Sequence, residues 1–274
     1  MYKIILKKIL PNFLINLIRS ITNKEKVKLL QKLNFKKKEG IIFLGTKYGG
    51  WSFFDNKNLI NNYVISAGLG EDASFDIELI NKYKCKIIVV DPTPRAIRHY
   101  NEIINNAGNS KIKPYNNEGK QNVDSYDLKS INKENFILID SALYDVSNKE
   151  IKFYSPPNKN HVSHSINNFQ NNYQKNTDFI IVNTITLKEI IEKFNITNIE
   201  MIKLDIEGAE VEVIKNMMDS KIFPNQILVE IDELNKIDKI SVERFNKINN
   251  LLIENNYELI KTESQFPNFL YLKS

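Results

Sequence analysis

The 274-residue chain contains a single cysteine, Cys85. That excludes an internal disulfide framework and a cysteine-built zinc site, and it suits a reducing, cytoplasmic setting. No run of about 18 apolar residues occurs, so a membrane-spanning helix is not expected. An excess of one charge is also lacking. The 38 basic and 33 acidic residues leave a net charge of +5, too small and too mixed to mark a nucleic-acid binder. No internal repeat is present. What remains, 42% hydrophobic and 26% charged residues, is the composition of a globular protein with a sizeable core.

Residues 1–33 stand apart as two basic amphipathic helices split near Pro11. Lys3, Lys7 and Lys8 interrupt the apolar positions, and no small-residue cleavage site follows, so a secretory leader is not expected. Such a segment either packs its apolar face on the main domain or lies peripherally on an anionic membrane, at the inner face. The expected division is a helical extension over 1–40 and one domain over 41–274.

From Tyr63 onward, short apolar runs alternate with helical periodicity. Strands are expected at Tyr63–Ala67, Lys86–Val90, Phe136–Asp140, Met201–Leu204 and Gln226–Ile231, with helices at Ser74–Tyr83, Arg95–Ala107, Leu187–Phe194, Val211–Met218 and Ser241–Asn256. Thr186 reads as an N-cap, with Glu189 at the capping-box position. Residues 108–135 read as an irregular insertion, and Ile151–Tyr154 and Phe179–Asn183 as peripheral strands around a long loop. Tyr257–Ser264 and Phe269–Leu272 read as a closing hairpin. This pattern predicts an α/β protein with a mostly parallel sheet covered on both faces.

Four motifs fall at strand ends, where open parallel sheets bind ligands. In Ser66-Ala67-Gly68-Leu69-Gly70-Glu71-Asp72-Ala73, Gly68 and Gly70 permit a sharp turn and close approach of a ligand. The spacing also satisfies a loose dinucleotide fingerprint, and a glycine turn without any ligand is the plain alternative. Glu71 and Asp72 would repel a pyrophosphate and tolerate a cationic ligand. Asp91 ends the second strand, where an acid can accept both hydroxyls of a ribose or simply cap a helix. Asp140 and Ser141, at the end of the third strand, can hydrogen-bond an adenine edge or simply make a loop turn. In Lys203-Leu204-Asp205-Ile206-Glu207-Gly208-Ala209-Glu210, Asp205 and Glu207 are candidates for a base or an orienting group, and helix-dipole stabilisation is the alternative.

The octamer KLDIEGAE resembles the signature of the FkbM family of S-adenosylmethionine-dependent methyltransferases. The resemblance extends to Gly45–Trp51, Gly68–Asp72, Asp91–Pro94 and Pro224–Glu230, and covers roughly residues 41–272. It implies a class I, Rossmann-like methyltransferase fold, a seven-stranded sheet ending in an antiparallel hairpin. It also implies O-methylation of a sugar, a glycan or a secondary-metabolite hydroxyl. Many members carry an acid two residues before the first glycine, where this chain has Ser66, so the methionine end is expected at Glu71 or Asp72. S-adenosylmethionine, with its sulfonium and ammonium, also matches the charge argument.

The expected cofactor contacts are therefore Gly68, Gly70, Glu71, Asp91, Asp140 and Ser141, and the expected catalytic groups are Asp205, Glu207 and His164. His164 belongs to His161-Val162-Ser163-His164-Ser165, in the long loop, where a histidine near pH 7 suits hydroxyl deprotonation. The Lys47–Trp51 loop precedes the first strand and can fold over a cofactor, or Trp51 can anchor it in the core. Asp205, Glu230 and Asp232 can meet at adjacent strand ends and hold a divalent ion, though none is predicted; the alternative is that Glu230 simply ends a strand in polar surroundings. Two other readings are a nicotinamide-dependent oxidoreductase and a non-catalytic module on a membrane surface.

Overall fold

Side-chain alternation along the central strands decides the architecture. Ile65 and Ala67, Ile202 and Leu204, and Ile227 and Val229 join one apolar cluster, while Val64, Met201 and Leu228 join another. A strand apolar on both sides must be covered on both sides. The computed structural model describes residues 24–157, 163–174, 176–262 and 266–274, and shows both covers. The expected helices within residues 1–23 lie outside the described residues.

The strands are β1 (Ile41–Leu44), β2 (Trp51–Phe54), β3 (Tyr63–Ala67), β4 (Lys86–Val90), β5 (Phe136–Ile139) and β6 (Ala142–Leu143). They continue with β7 (Glu150–Tyr154), β8 (Phe179–Ile185), β9 (Ile199–Leu204), β10 (Gln226–Glu230), β11 (Tyr257–Ile260) and β12 (Asn268–Lys273). The helices after β3 are α1 (Ser74–Tyr83), α2 (Pro94–Asn105), α3 (Leu187–Lys193), α4 (Glu210–Asp219) and α5 (Lys239–Glu254).

Seven strands form the central sheet in the order β11-β12-β10-β9-β3-β4-β5. Pairing is parallel from β10 through β5, and antiparallel where β12 inserts between β10 and β11. This is the class I methyltransferase arrangement. Helices α3, α4 and α5 cover one face, and α1, α2 and β2 the other. On that second face, two residues beyond each apolar position, come Ser66, Lys203 and Glu230. The core therefore turns polar at the C-terminal ends of β3, β9 and β10.

Local chemistry explains several boundaries. Thr186 Oγ1 accepts from the Glu189 N–H at 3.2 Å, as expected of the cap, and Asp238 with Ser241 forms a full reciprocal capping box. Helix α2 begins at Pro94 rather than Arg95, because the first helical position needs no N–H. The β1–β2 hairpin was not anticipated, its strands being four residues each beside glycines. It is held by burial of Trp51 and Phe53, and by the Gln226 amide, which bonds both the N–H and the C=O of Phe54 at 2.9 Å. A small sheet, β6-β8-β7, stands beside the main one.

The extension is not wholly separate from the domain. Leu29 is buried in the first cluster, Leu33 and Phe35 pack against it, and Lys36 pairs alongside β11 through N–H to Leu259 O at 2.8 Å. Full burial of one leucine is worth about 2 kcal/mol. A chain beginning at residue 37 is therefore expected to unfold at lower denaturant than one beginning at residue 24, with an unfolding free energy smaller by about 2 kcal/mol or more. Coincident midpoints would remove residues 29–36 from the core.

Candidate active site

Strand β3 has β4 on one side and β9 on the other, so the direction of winding reverses there. Such a switch point opens a crevice beyond the strand ends. A cavity of about 620 Å³ occupies it. Gly68 and Gly70 turn the chain with φ of +87° and +57°. At Gly68 a side chain is also excluded sterically, because a Cβ would lie 1.9 Å from the Asp205 carbonyl oxygen. The turn is fastened by Asp91, whose Oδ2 accepts from the N–H groups of Leu69 and Gly70 at 2.9 and 3.1 Å. Its Oδ1 accepts from Thr93 N and Oγ1 at 2.9 and 2.7 Å. Asp91 lines the cavity as expected, yet both its oxygens already serve in building the turn.

The acidic pair after the turn differs from its expectation as free negative charge. Glu71 is paired with Arg95 and, at 3.2 Å, with Lys120. Burial works to raise its pKa, but the bonds from the two cations outweigh this and hold it below the usual range. Asp72 Oδ2 accepts from Thr46 Oγ1 at 2.6 Å and Oδ1 from Ser74 N at 3.0 Å. Both acids anchor neighbouring segments, and the charge of Glu71 is offset by its two cations. Asp140 also departs from expectation. It is exposed, and the wall near it is built instead by Ala142 and Leu143, with neither Asp140 nor Ser141 lining the cavity.

Beside the glycine turn, the chain just past β9 and the end of β10 bring Asp205, Glu207, Glu230 and Asp232 to the same cavity. Glu207 stands at φ +54°, on a loop whose N–H groups at Ile206 and Gly208 are held by the Glu210 carboxylate at 3.1 and 3.0 Å. Arg244 donates to the Gly208 carbonyl at 2.6 Å and to Glu233 at 2.7 Å, fixing the loop from behind. Gln170 donates to Glu207 Oε2 at 2.9 Å.

Burial and mutual repulsion act in one direction on this wall. Burial raises Glu207 to about 7, the Asp205 charge adds to it, and hydrogen bonding to Ser163, Gln170 and Asp232 opposes both. Burial also raises Asp205, with Lys203 opposing and Asp91 and Asp76 adding. Glu230 and Asp232 are raised by burial and then by the neighbouring acids. Tyr48 stands at the rim, where crowding by protein and the charges of all four acids push its hydroxyl up to about 12. It is a hydrogen-bond donor at neutral pH rather than a base.

Oxygens of Asp205, Glu207 and Asp232 lie within 4.8 Å of one another, a hard donor set of the type that suits Mg²⁺, Mn²⁺ or Ca²⁺. Glu207 thus takes the place expected for Glu230 in such a group. The remaining wall is largely apolar, with Leu143, Phe153, Ile166 and Phe169. His164 belongs to it, stacked on Phe153 at 5.9 Å between centroids, with Nε2 3.3 Å from Ser155 Oγ. Its sequence neighbours His161 and Val162 lie outside the described residues.

The family model of the Methyltransferase FkbM domain matches residues 58–259. The chain belongs to the FkbM methyltransferase family. No curated protein matches it. A solved structure, the Methanococcus jannaschii fibrillarin pre-rRNA processing protein, aligns at 11% identity and a TM-score of 0.37. That alignment covers 78% of this chain and 68% of the other. Family membership replaces the oxidoreductase reading. Among the described residues no helix is long and apolar enough to cross a membrane.

Within this FkbM domain, Gly68, Gly70, Glu71, Asp91, Asp205, Glu207 and His164 all line one cavity. Tyr48 and Gly49 of the Lys47–Trp51 loop do so too, as expected of that loop, and so does Lys203, which the sequence does not mark as a site residue. A lysine in a strand carries no signal of its own. The raised acids have a consequence for stability. A carboxyl whose folded pKa exceeds its unfolded value binds more protons when folded, so stability falls as pH rises from about 4.5 through 7. Without ligand, the melting temperature is expected to be lower at pH 8 than at pH 5.5, with a shallower fall in Glu207→Gln. A wild-type profile that rises over this interval would contradict the assignment.

Proposed function

We propose that this methyltransferase transfers a methyl group from S-adenosylmethionine to a hydroxyl of a sugar or glycan-type acceptor. The observation that carries the proposal is the cavity itself, with a glycine turn at the switch point facing four carboxylates at the ends of β9 and β10. The residues fit the cofactor. Only hydrogen fits on Gly68, the Leu69 and Gly70 backbone lines the opening, and the acidic wall favours a ligand with positive charge. When bound, S-adenosylmethionine supplies a methyl on a sulfonium that leaves as a neutral thioether.

The chain's own groups then have three tasks. The cavity aligns the acceptor hydroxyl and excludes competing water. A carboxylate of the wall takes the hydroxyl proton as the oxygen attacks, and Glu207, raised to about 7, is well matched to that task near neutral pH. Asp205, directly after β9, lines the same cavity and is placed to orient the acceptor or the cationic end of the cofactor, and His164 in that cavity is a second proton acceptor or orienting group. The apolar wall with Phe153 and Phe169 offers a surface on which a sugar ring can rest.

Labelled methyl transfer and cofactor affinity, measured on one preparation of Asp205→Asn, test this reading. The substitution keeps shape and removes charge. The rate is expected to fall by about 10²- to 10⁴-fold, the usual contribution of a positioned base or charge, with cofactor affinity changed less than about threefold. Equal losses in rate and affinity would move Asp205 to the methionine end of the cofactor. An unchanged rate would leave it a structural residue at the start of the loop.

A further inference from the structure

Lys203 is an ammonium on an inner strand, 4% exposed, in register with Ser66 of β3 and Leu228 of β10. An unpaired charge in such a position is costly, so its partners reveal its use. Its Nζ donates to the carbonyl of Gly68 and lies 5.8 Å from the centre of the Trp51 ring. Asp76, buried in the first turn of α1, is a further electrostatic partner.

The peptide unit that Lys203 touches is the one Asp91 touches from its other end. The carbonyl of Gly68 takes the Lys203 ammonium, and the N–H of the same Gly68–Leu69 peptide donates to Asp91 Oδ2 at 2.9 Å. One amide plane is therefore gripped by a cation on its oxygen and an anion on its nitrogen. Bonds to charged groups are the strong ones, and these two act at opposite ends of the amide dipole, each favouring the same orientation. Without them nothing in the glycine itself would choose this orientation, because Gly68 at φ +87° has no side chain to restrict rotation. The Asp205 N–H, bonded to Ala67 O at 3.1 Å, ties the same strand end to β9 one residue earlier.

We infer that Lys203 is a positioning residue which, together with Asp91, locks the Gly68–Leu69 peptide and so presents the glycine turn to the cofactor. Its sequence position, two residues before Asp205, places the lock and the acidic wall on one strand. Any shift of β9 would disturb both. The presentation to cofactor rests on the function proposed above; the lock itself does not.

Amide hydrogen exchange on Lys203→Met, Asp91→Asn and the double variant tests the lock without any ligand. Loss of one bond to a charged group is expected to speed exchange at Leu69 and Gly70 by roughly 10- to 150-fold, with other strand-end amides unchanged. Because both groups hold one peptide, the double variant should exceed the larger single effect by less than about threefold. Multiplicative effects, or unchanged exchange in folded Lys203→Met, would overturn the inference. If Lys203→Met does not fold, Lys203→Gln is read at the same two amides. It keeps a donor and loses the charge, so at least threefold faster exchange upholds the lock and wild-type exchange overturns it. Calorimetry with S-adenosylhomocysteine gives the second readout. A weakened affinity with the lock opened supports the presentation role. Faster exchange with unchanged affinity keeps the lock but removes the cofactor from the turn.

Discussion

The contact between Gly68 and the backbone of Asp205 governs the rest of the site. Strands β3 and β9 are neighbours, and their ends come so close that only hydrogen fits on Gly68 facing the Asp205 carbonyl. That approach brings the turn after β3 and the acids after β9 into a single cavity. A methyl group at residue 68 would have to push the strand ends apart, separating the two halves of the site together with the sheet that carries them. The glycine is required both for its positive φ and for this space.

A second constraint follows from the first. Packing four carboxylates around one opening stores electrostatic repulsion, which the fold manages by bracing the loops that carry them. Glu210 holds two backbone N–H groups beneath Glu207, and Arg244 holds the Gly208 carbonyl together with Glu233. These braces leave Asp205, Glu207, Glu230 and Asp232 facing the cavity, with Lys203 beneath. Burial and mutual repulsion raise the pKa of each, so these groups respond to whatever positive charge enters. The acids of the glycine turn contribute little here, because Glu71 and Asp72 are committed to Arg95, Lys120, Thr46 and Ser74.

Much of the fold was legible in the sequence. β3, α1 and β4 were read to the residue, because their apolar runs and helical period are uninterrupted. The placement of Asp205 and Glu207 at a strand end followed from KLDIEGAE itself. Legibility ended where partners are distant in the chain. The pairing of Glu71 with Arg95 and Lys120 joins three separate segments, so charge counting beside the glycines misjudged it. Asp140 was read as a wall residue because it follows β5, but the chain swings outward there and returns at Ala142. The Lys47–Trp51 loop reaches the cavity through Tyr48 and Gly49, as read from the sequence, whereas the contact of Tyr48 with Gly119 joins it to an insertion without periodicity. Lys203 was hidden by its own type, for a lysine in a strand ordinarily faces water.

Direct titration with S-adenosylhomocysteine and with NAD, by calorimetry on the same protein, tests the central claim. The glycine turn facing an acidic wall predicts saturable binding of S-adenosylhomocysteine, with Kd in the micromolar range (about −8 kcal/mol), and no binding of NAD. Binding of NAD with equal or greater affinity, or the absence of any S-adenosylhomocysteine binding by folded protein, would contradict it.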